Sequence, residues 1–206
     1  MLQALLACAL LLVTHTAAAD DYVAGRHYEV IEPALETGGT DGKVVVMELF
    51  WYGCPHCFEF EPVIEAWLKE KPENIEFVRV PAVFARNWEI HARAFYAAEQ
   101  LGVLEETHEA LFNALHRERQ RLFTVDALVA FYAAHGVDEQ AFREAYESFD
   151  VDNKTRRAMA ITRKSGIGGV PALLVDGRYR LSTQQTGSYE AMLKVAEALA
   201  AKDSSR

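Results

Sequence analysis

The chain has 206 residues and only three cysteines. A secreted fold stapled by disulfides carries more of them, spread further apart, so that class is excluded. No apolar run is long enough for a membrane-spanning helix, which needs about 20 residues. Positive charge is short as well: 21 Lys and Arg stand against 30 Asp and Glu, a formal net charge of -9. A phosphate-binding face needs a basic surplus, so nucleic acid is excluded as the main partner. There is no internal repeat and no low-complexity linker. What is present suits a soluble chain. Half the residues are hydrophobic and a quarter charged, enough to bury one good-sized core or a core with an insertion.

The first residues read as a targeting segment. "LLACALLLV" leads to Ala17-Ala18-Ala19 and then directly to Asp20-Asp21. That is the pattern of a secretory signal peptide, residues 1–19, cleaved after Ala19. Met1-Leu2-Gln3 lacks Lys and Arg, so the amino terminus alone supplies the leading positive charge. Cys8 lies inside the segment and would leave with it; too few residues precede it for a lipoprotein signal. The mature chain then keeps Cys54 and Cys57, in "WYGCPHCF" at 51–58. Two thiols at that spacing can close a ring with each other or share a metal.

Their setting favours the ring. "KVVVMELF" (43–50) reads as a buried strand, "EFEPVIEAWLKEK" after the cysteines as a helix, and "NIEFVRV" (74–80) as a second core strand. Strand, helix, strand makes a βαβ unit with a parallel pair. "HYEVIEP" (27–33) is a candidate first strand. From 82 to 152 the pattern is helical only, three or four helices, with Asp138 as an N-cap. A basic-faced helix, 152–166, returns to the sheet. "VPALLVDGRYRL" predicts two strands joined by the two-residue turn Asp176-Gly177, and a last helix follows from Tyr189. The fold class expected is α/β: a discontinuous sheet domain, 20–81 and 153–206, with an all-helical insertion at 82–152.

C-x-x-C opening the helix of a βαβ unit is the thioredoxin-type redox arrangement. Unpaired N–H groups and the positive dipole end at a helix start favour a thiolate at the first cysteine, so Cys54 is the expected exposed, reactive sulfur. Cys57 lies about one turn on and should be more buried and less acidic. Pro55 suits the first turn. The dipole alone supplies about 0.3–1 kcal/mol, near one pKa unit at most, so backbone N–H bonds and the neighbouring His56 must supply the rest. A stabilised thiolate favours the reduced form, and the oxidised form then gives its disulfide away. Pro62 should kink the helix near Phe58. Glu48, a carboxylate in an apolar strand, is a candidate proton relay to Cys57 if it points inward, and a surface residue if it does not.

With these residues in hand, the mature chain resembles the DsbA family, periplasmic thiol–disulfide oxidases of Gram-negative bacteria with a thioredoxin-like fold and an inserted helical domain. "CPHC" (54–57) is that family's active-site tetrapeptide; "MELFWYGCPHC" resembles its approach strand and "GVPALLVDGRYRL" (169–181) its substrate-side loop and hairpin. The resemblance implies that Pro171 is a cis-proline facing Cys54, that Val170 binds substrate backbone, and that Arg79 pairs with the buried Glu48. It further implies reduced exported proteins as substrates, reoxidation by a DsbB-like quinone-linked membrane oxidase, no cofactor, and action as a monomer in the periplasm.

Three other readings compete with this one. An isomerase or reductase could use the same fold; known isomerases of this group carry a separate dimerisation domain, for which the residues between Asp20 and the first core strand leave no room. A metal module would use Cys54, Cys57 and histidines such as His91 or His108, but those histidines have no ligand-like spacing. A non-catalytic chaperone has no need to keep both cysteines.

Overall fold

The computed structural model describes residues 22–39 and 42–204. The expected signal peptide, its cleavage site after Ala19 and Cys8 lie outside them. Five strands form one sheet: β1 (Glu29–Val30), β2 (Val44–Phe50), β3 (Ile75–Pro81), β4 (Ala172–Val175) and β5 (Tyr179–Leu181), in the order β1-β5-β4-β2-β3. Only β2 and β3 are parallel; β4 runs antiparallel to β2, and β5 antiparallel to both β4 and β1. β2 lies inside the sheet, between β4 and β3, and is buried on both faces along its length, which is why it reads as an apolar run broken only by Glu48.

The alternation along β2 sorts its side chains between two cores. Val44 and Val46 join Ile75, Leu173, Val175 and Leu181 on one face, beneath α1 (Pro55–Leu68) and α8 (Tyr189–Ser204). Val45, Met47 and Leu49 join Val80, Ala172 and Leu174 on the other. That second face is covered by α6 (Phe149–Ser165) and the helices before it: α2 (Arg86–Gln100), α3 (Leu104–His116), α4 (Val125–Ala134) and α5 (Glu139–Glu147). Each fully buried Val, Leu or Phe contributes about 1.5–3 kcal/mol. Glu48 follows Val44 and Val46 in period two, so the strand itself turns this carboxylate under α1.

Local chemistry sets the boundaries. Asp138 caps α5, accepting from Ala141 N at 2.8 Å. The returning helix α6 begins at Phe149, earlier than expected, because the Ser148 hydroxyl accepts from Val151 N at 3.2 Å. α1 stays one helix through Pro62, although proline has no N–H for the Phe58 carbonyl. The hairpin connection spans three residues, Asp176–Arg178, rather than two. Asp176 and Gly177 both take positive φ, 49° and 63°, as their sequence signal requires. The carbonyls of Gly177 and Arg178 accept from Leu35 and Ile31, which ties the turn to the N-terminal segment. A one-turn helix, α7 (Thr183–Thr186), has no counterpart in the sequence reading.

Candidate active site

The chain leaves β2 at Phe50 and turns at once: Cys54 N donates to the Trp51 carbonyl at 2.9 Å, and Phe58 N to the Cys54 carbonyl at 3.1 Å. Cys54 is thus the N-cap of α1 in an extended conformation, with Pro55 in the first turn. Gly53 is required here: a Cβ would run into the Trp51 indole, itself stacked on Trp88 at 4.3 Å.

Both cysteines are free thiols. Cys57 is 0% exposed and Cys54 only 9%, so the first sulfur is the more accessible one but much less exposed than expected. The loop before β4 covers it: Cys54 Sγ lies 3.5 Å from the Val170 carbonyl, and the Val170–Pro171 peptide bond is cis. The two thiols titrate in opposite directions. A hydrogen bond from the Cys57 thiol is the largest influence on Cys54; burial opposes it, and the N–H groups of Cys57 and His56 add to it, so the Cys54 pKa falls to about 6. The charge of His56 comes last among these causes. Its imidazole is turned to Glu59 Oε2 at 3.3 Å, so the residue acts on Cys54 more through its backbone than its ring. Burial pushes the Cys57 thiol well above its ordinary value, and the Cys54 and Glu48 charges push the same way.

Glu48 is fully buried, so of its two sequence readings the inward one holds. Arg79 stands opposite it on β3, with Nε 3.5 Å from Glu48 Oε2, yet neither carboxylate oxygen receives a hydrogen bond from the described residues. Arg79 spends its donors elsewhere, on Glu61 at 3.0 Å and Glu65 at 2.7 Å. Burial, then the Glu61 charge, raises the Glu48 carboxyl well above the carboxylate range; Arg79 only partly offsets them. Glu61 behaves oppositely. Burial raises it too, but His108 and Arg79 outweigh burial and hold it low.

The sequence reading missed a second cluster, around Tyr52. The α3 residues His108, Phe112 and His116 recur four apart and share one helical face. The Tyr52 hydroxyl lies 2.7 Å from His108 Nδ1, and His108 Nε2 lies 3.3 Å from Glu61 Oε1. A carboxylate only accepts, so Nε2 carries the proton and Nδ1 accepts from the tyrosine. Phe112 packs on the Tyr52 ring at 4.9 Å. His116 donates from Nε2 to the Tyr52 carbonyl at 2.7 Å and stacks on Phe58 at 5.0 Å. The inserted helices therefore grip the active-site turn at both ends of one residue.

A groove of about 450 Å³ runs beside the cysteines, with His56, Val170, Pro171, Arg180 and Tyr189 in its wall. Tyr189 fixes one side, donating to the His56 carbonyl at 3.1 Å. A larger cavity, about 730 Å³, opens between α1, β3 and α3; neither cysteine lines either space, but the groove adjoins Cys54 through His56 and Val170. The structure thus brings Cys54, His56, Val170 and Pro171 together, with Cys57 buried behind Cys54 and Glu48 buried under α1. Among the described residues no group of three or more His, Cys, Asp and Glu side chains could hold a metal, and His91 and His108 serve as internal hydrogen-bonding groups.

This arrangement has counterparts. The chain is 38% identical to the thiol:disulfide interchange protein DsbA of Pseudomonas aeruginosa, over 91% of its length and 88% of that protein. It is 41% identical to the protein of that name from Azotobacter vinelandii, over 87% and 83%. Alignments of that length necessarily include the cysteine pair. The crystal structure of Pseudomonas aeruginosa DsbA superposes with a TM-score of 0.85 at 37% identity, covering 91% of this chain and 97% of that one. For the oxidoreductase DsbA from Xylella fastidiosa the TM-score is 0.83 at 31% identity, covering 90% and 99%. The fold is therefore thioredoxin-like with an inserted helical domain. The DSBA-like thioredoxin domain matches residues 78–193, and together with these full-length relatives it establishes that the chain belongs to the DsbA family of thioredoxin-like proteins.

Proposed function

We propose that the protein is a thiol–disulfide oxidoreductase that donates a Cys54–Cys57 disulfide to newly exported proteins. The observation that carries this is the inequality of its two sulfurs: Cys54 is held near pKa 6 and partly accessible, while Cys57 is buried and pushed up. A low thiolate pKa stabilises the reduced form and makes Cys54 a good leaving group, so electrons flow from substrate to this protein.

In the oxidised protein a substrate thiolate attacks Cys54 Sγ. The Cys54–Cys57 bond breaks, Cys57 leaves with the electron pair, and a mixed disulfide joins substrate to Cys54. Cys57 then takes up a proton, and the raised Glu48 carboxyl is the proposed donor. A second substrate thiolate attacks the substrate sulfur of the mixed disulfide, and Cys54 leaves as a stable thiolate. Substrate loses two electrons and two protons; the Cys54–Cys57 pair gains the electrons. Val170 and Pro171 border the attacked sulfur, which supports a role in holding substrate backbone beside it.

Family membership supports a periplasmic setting, reoxidation by a DsbB-like quinone-linked membrane oxidase, and action as a monomer. No helix among the described residues is long and apolar enough to cross a membrane. Equilibration in glutathione buffers with thiol trapping tests the reading. A potential more oxidising than about -180 mV supports a disulfide donor; one near about -270 mV makes the protein a reductase and overturns the direction of electron flow.

A further inference from the structure

We infer that Arg180 makes the groove beside Cys54 selective for substrates carrying a carboxylate close to their reactive cysteine. This rests on the proposed donor function and names the chemistry of its preferred substrate.

The placement follows from the sheet. Tyr179 and Leu181 point into the α1/α8 core, so Arg180 between them must point to the opposite face, toward α6. There its guanidinium crosses the loop that carries Val170 and Pro171. Nη1 donates to the Ser165 carbonyl at 3.0 Å, at the last residue of α6. That is the side-chain hydrogen bond Arg180 makes among the described residues, and the residue lines the groove. Glu29 is the cross-strand neighbour of Arg180, but its carboxylate is turned to Gln185 Nε2 at 3.4 Å, and no ion pair with Arg180 forms among the described residues. The groove wall contains no Asp or Glu among the described residues. Its other polar members, including Ser182, Thr183 and Gln184, are neutral, and His56 is the remaining group that carries positive charge when protonated.

A chain with a net charge of -9 has therefore placed an uncompensated cation where its substrate must lie. A guanidinium with free donors is suited to a carboxylate, and a charge at such a rim acts on encounter rate and partner choice. An extended substrate advances about 3.3 Å per residue, so the test places the acidic side chain roughly two to four residues from the attacking cysteine.

The test uses dithiol peptides of one sequence with Asp, Asn or Lys at those positions, on either side of the cysteine, and reads kcat/KM for oxidation by the mature protein. The Asp peptide is expected to exceed the Asn peptide by about threefold to fivefold, and the Lys peptide to fall below it. Arg180→Gln should bring the Asp:Asn ratio to about one, and Arg180→Lys should retain part of it. Should the glutamine variant not fold, the ratio in the wild-type protein and its decline with added salt decide the matter. An Asp:Asn ratio of one at low salt, with the Asn peptide still oxidised, overturns the inference and leaves the donor function standing. Failure to oxidise any of the peptides overturns the donor function itself.

Discussion

The Tyr52 hydroxyl, fully buried, is held 2.7 Å from Nδ1 of His108, a residue 56 positions away on the inserted helix α3. Removing the acceptor leaves an unsatisfied buried hydroxyl, which costs about 1–3 kcal/mol. His108→Leu should therefore lower stability by that margin and shift the urea midpoint down in proportion. Adding Tyr52→Phe removes the stranded group as well, so the double variant should recover part of the loss. Urea titrations of the four proteins check this; costs that simply add would mean the two residues are not coupled.

The titration of Cys54 sets how the redox potential responds to pH. Its folded pKa is depressed to about 6 from an ordinary 9.0. The stabilisation of the reduced form is thus complete above the ordinary value and lost as pH falls through about 6. Below pH 6 reduction takes up two protons; above it only Cys57 takes one. Each proton tied to a two-electron couple moves the potential by about 30 mV per pH unit. The slope should therefore halve, from about 59 to about 30 mV per unit, near pH 6. Thiolate absorbance of the reduced protein should give the same midpoint, and a midpoint near 9 would contradict the hydrogen bonding described around Cys54.

The 3.5 Å ion pair between Glu48 and Arg79 Nε does not offset the burial of the carboxylate. The carboxylate oxygens have no hydrogen-bond partner among the described residues, while Arg79 keeps Glu61 and Glu65 without Glu48. Glu48→Leu should thus raise stability by about 1–3 kcal/mol, since burying an acid without hydrogen bonds is costly. Dithiol oxidation should slow by about tenfold or more if this carboxyl hands Cys57 its proton. Thermal unfolding and stopped-flow oxidation separate the two effects. A stabilised variant with wild-type kinetics would remove Glu48 from the mechanism.

Much of the molecule was legible because its rules are local. β2 opens on three valines and is apolar apart from Glu48, Asp138 caps the next residues, and Asp176-Gly177 needs only positive φ. The cysteine pair was legible for the same reason, since a helix start acts on the residue that begins it. Positions fixed by distant partners were not legible. Cys54 is covered by the Val170 loop, 116 residues on, so its low exposure had no signal within "WYGCPHCF". His108, Phe112 and His116 did leave one: two histidines eight positions apart, with Phe112 midway between them, on an otherwise apolar helix face. That face turned out to meet the active-site turn, which spacing alone does not disclose. Arg180 carries no such signal in its hairpin, and only the path of the 166–169 loop places it in the groove wall.

Acid stability should be governed in part by His91. The ring is fully buried on α2, donating from Nε2 to the Leu122 carbonyl at 2.8 Å, while Nδ1 has no hydrogen-bond partner among the described residues. Burial lowers its pKa from 6.5 to about 4. In this window the unfolded chain binds the proton and the folded chain does not, so stability rises with pH. The contribution is complete above about 6.5, declines as pH falls, and is spent by about 4. A shift of that size corresponds to about 3 kcal/mol. His91→Gln keeps a donor for the Leu122 carbonyl but cannot titrate. It should flatten the stability profile between pH 4 and 6.5, even if it costs stability at neutral pH. Urea unfolding at half-unit pH intervals checks this, and equal slopes for the two proteins would assign the acid limb to other groups.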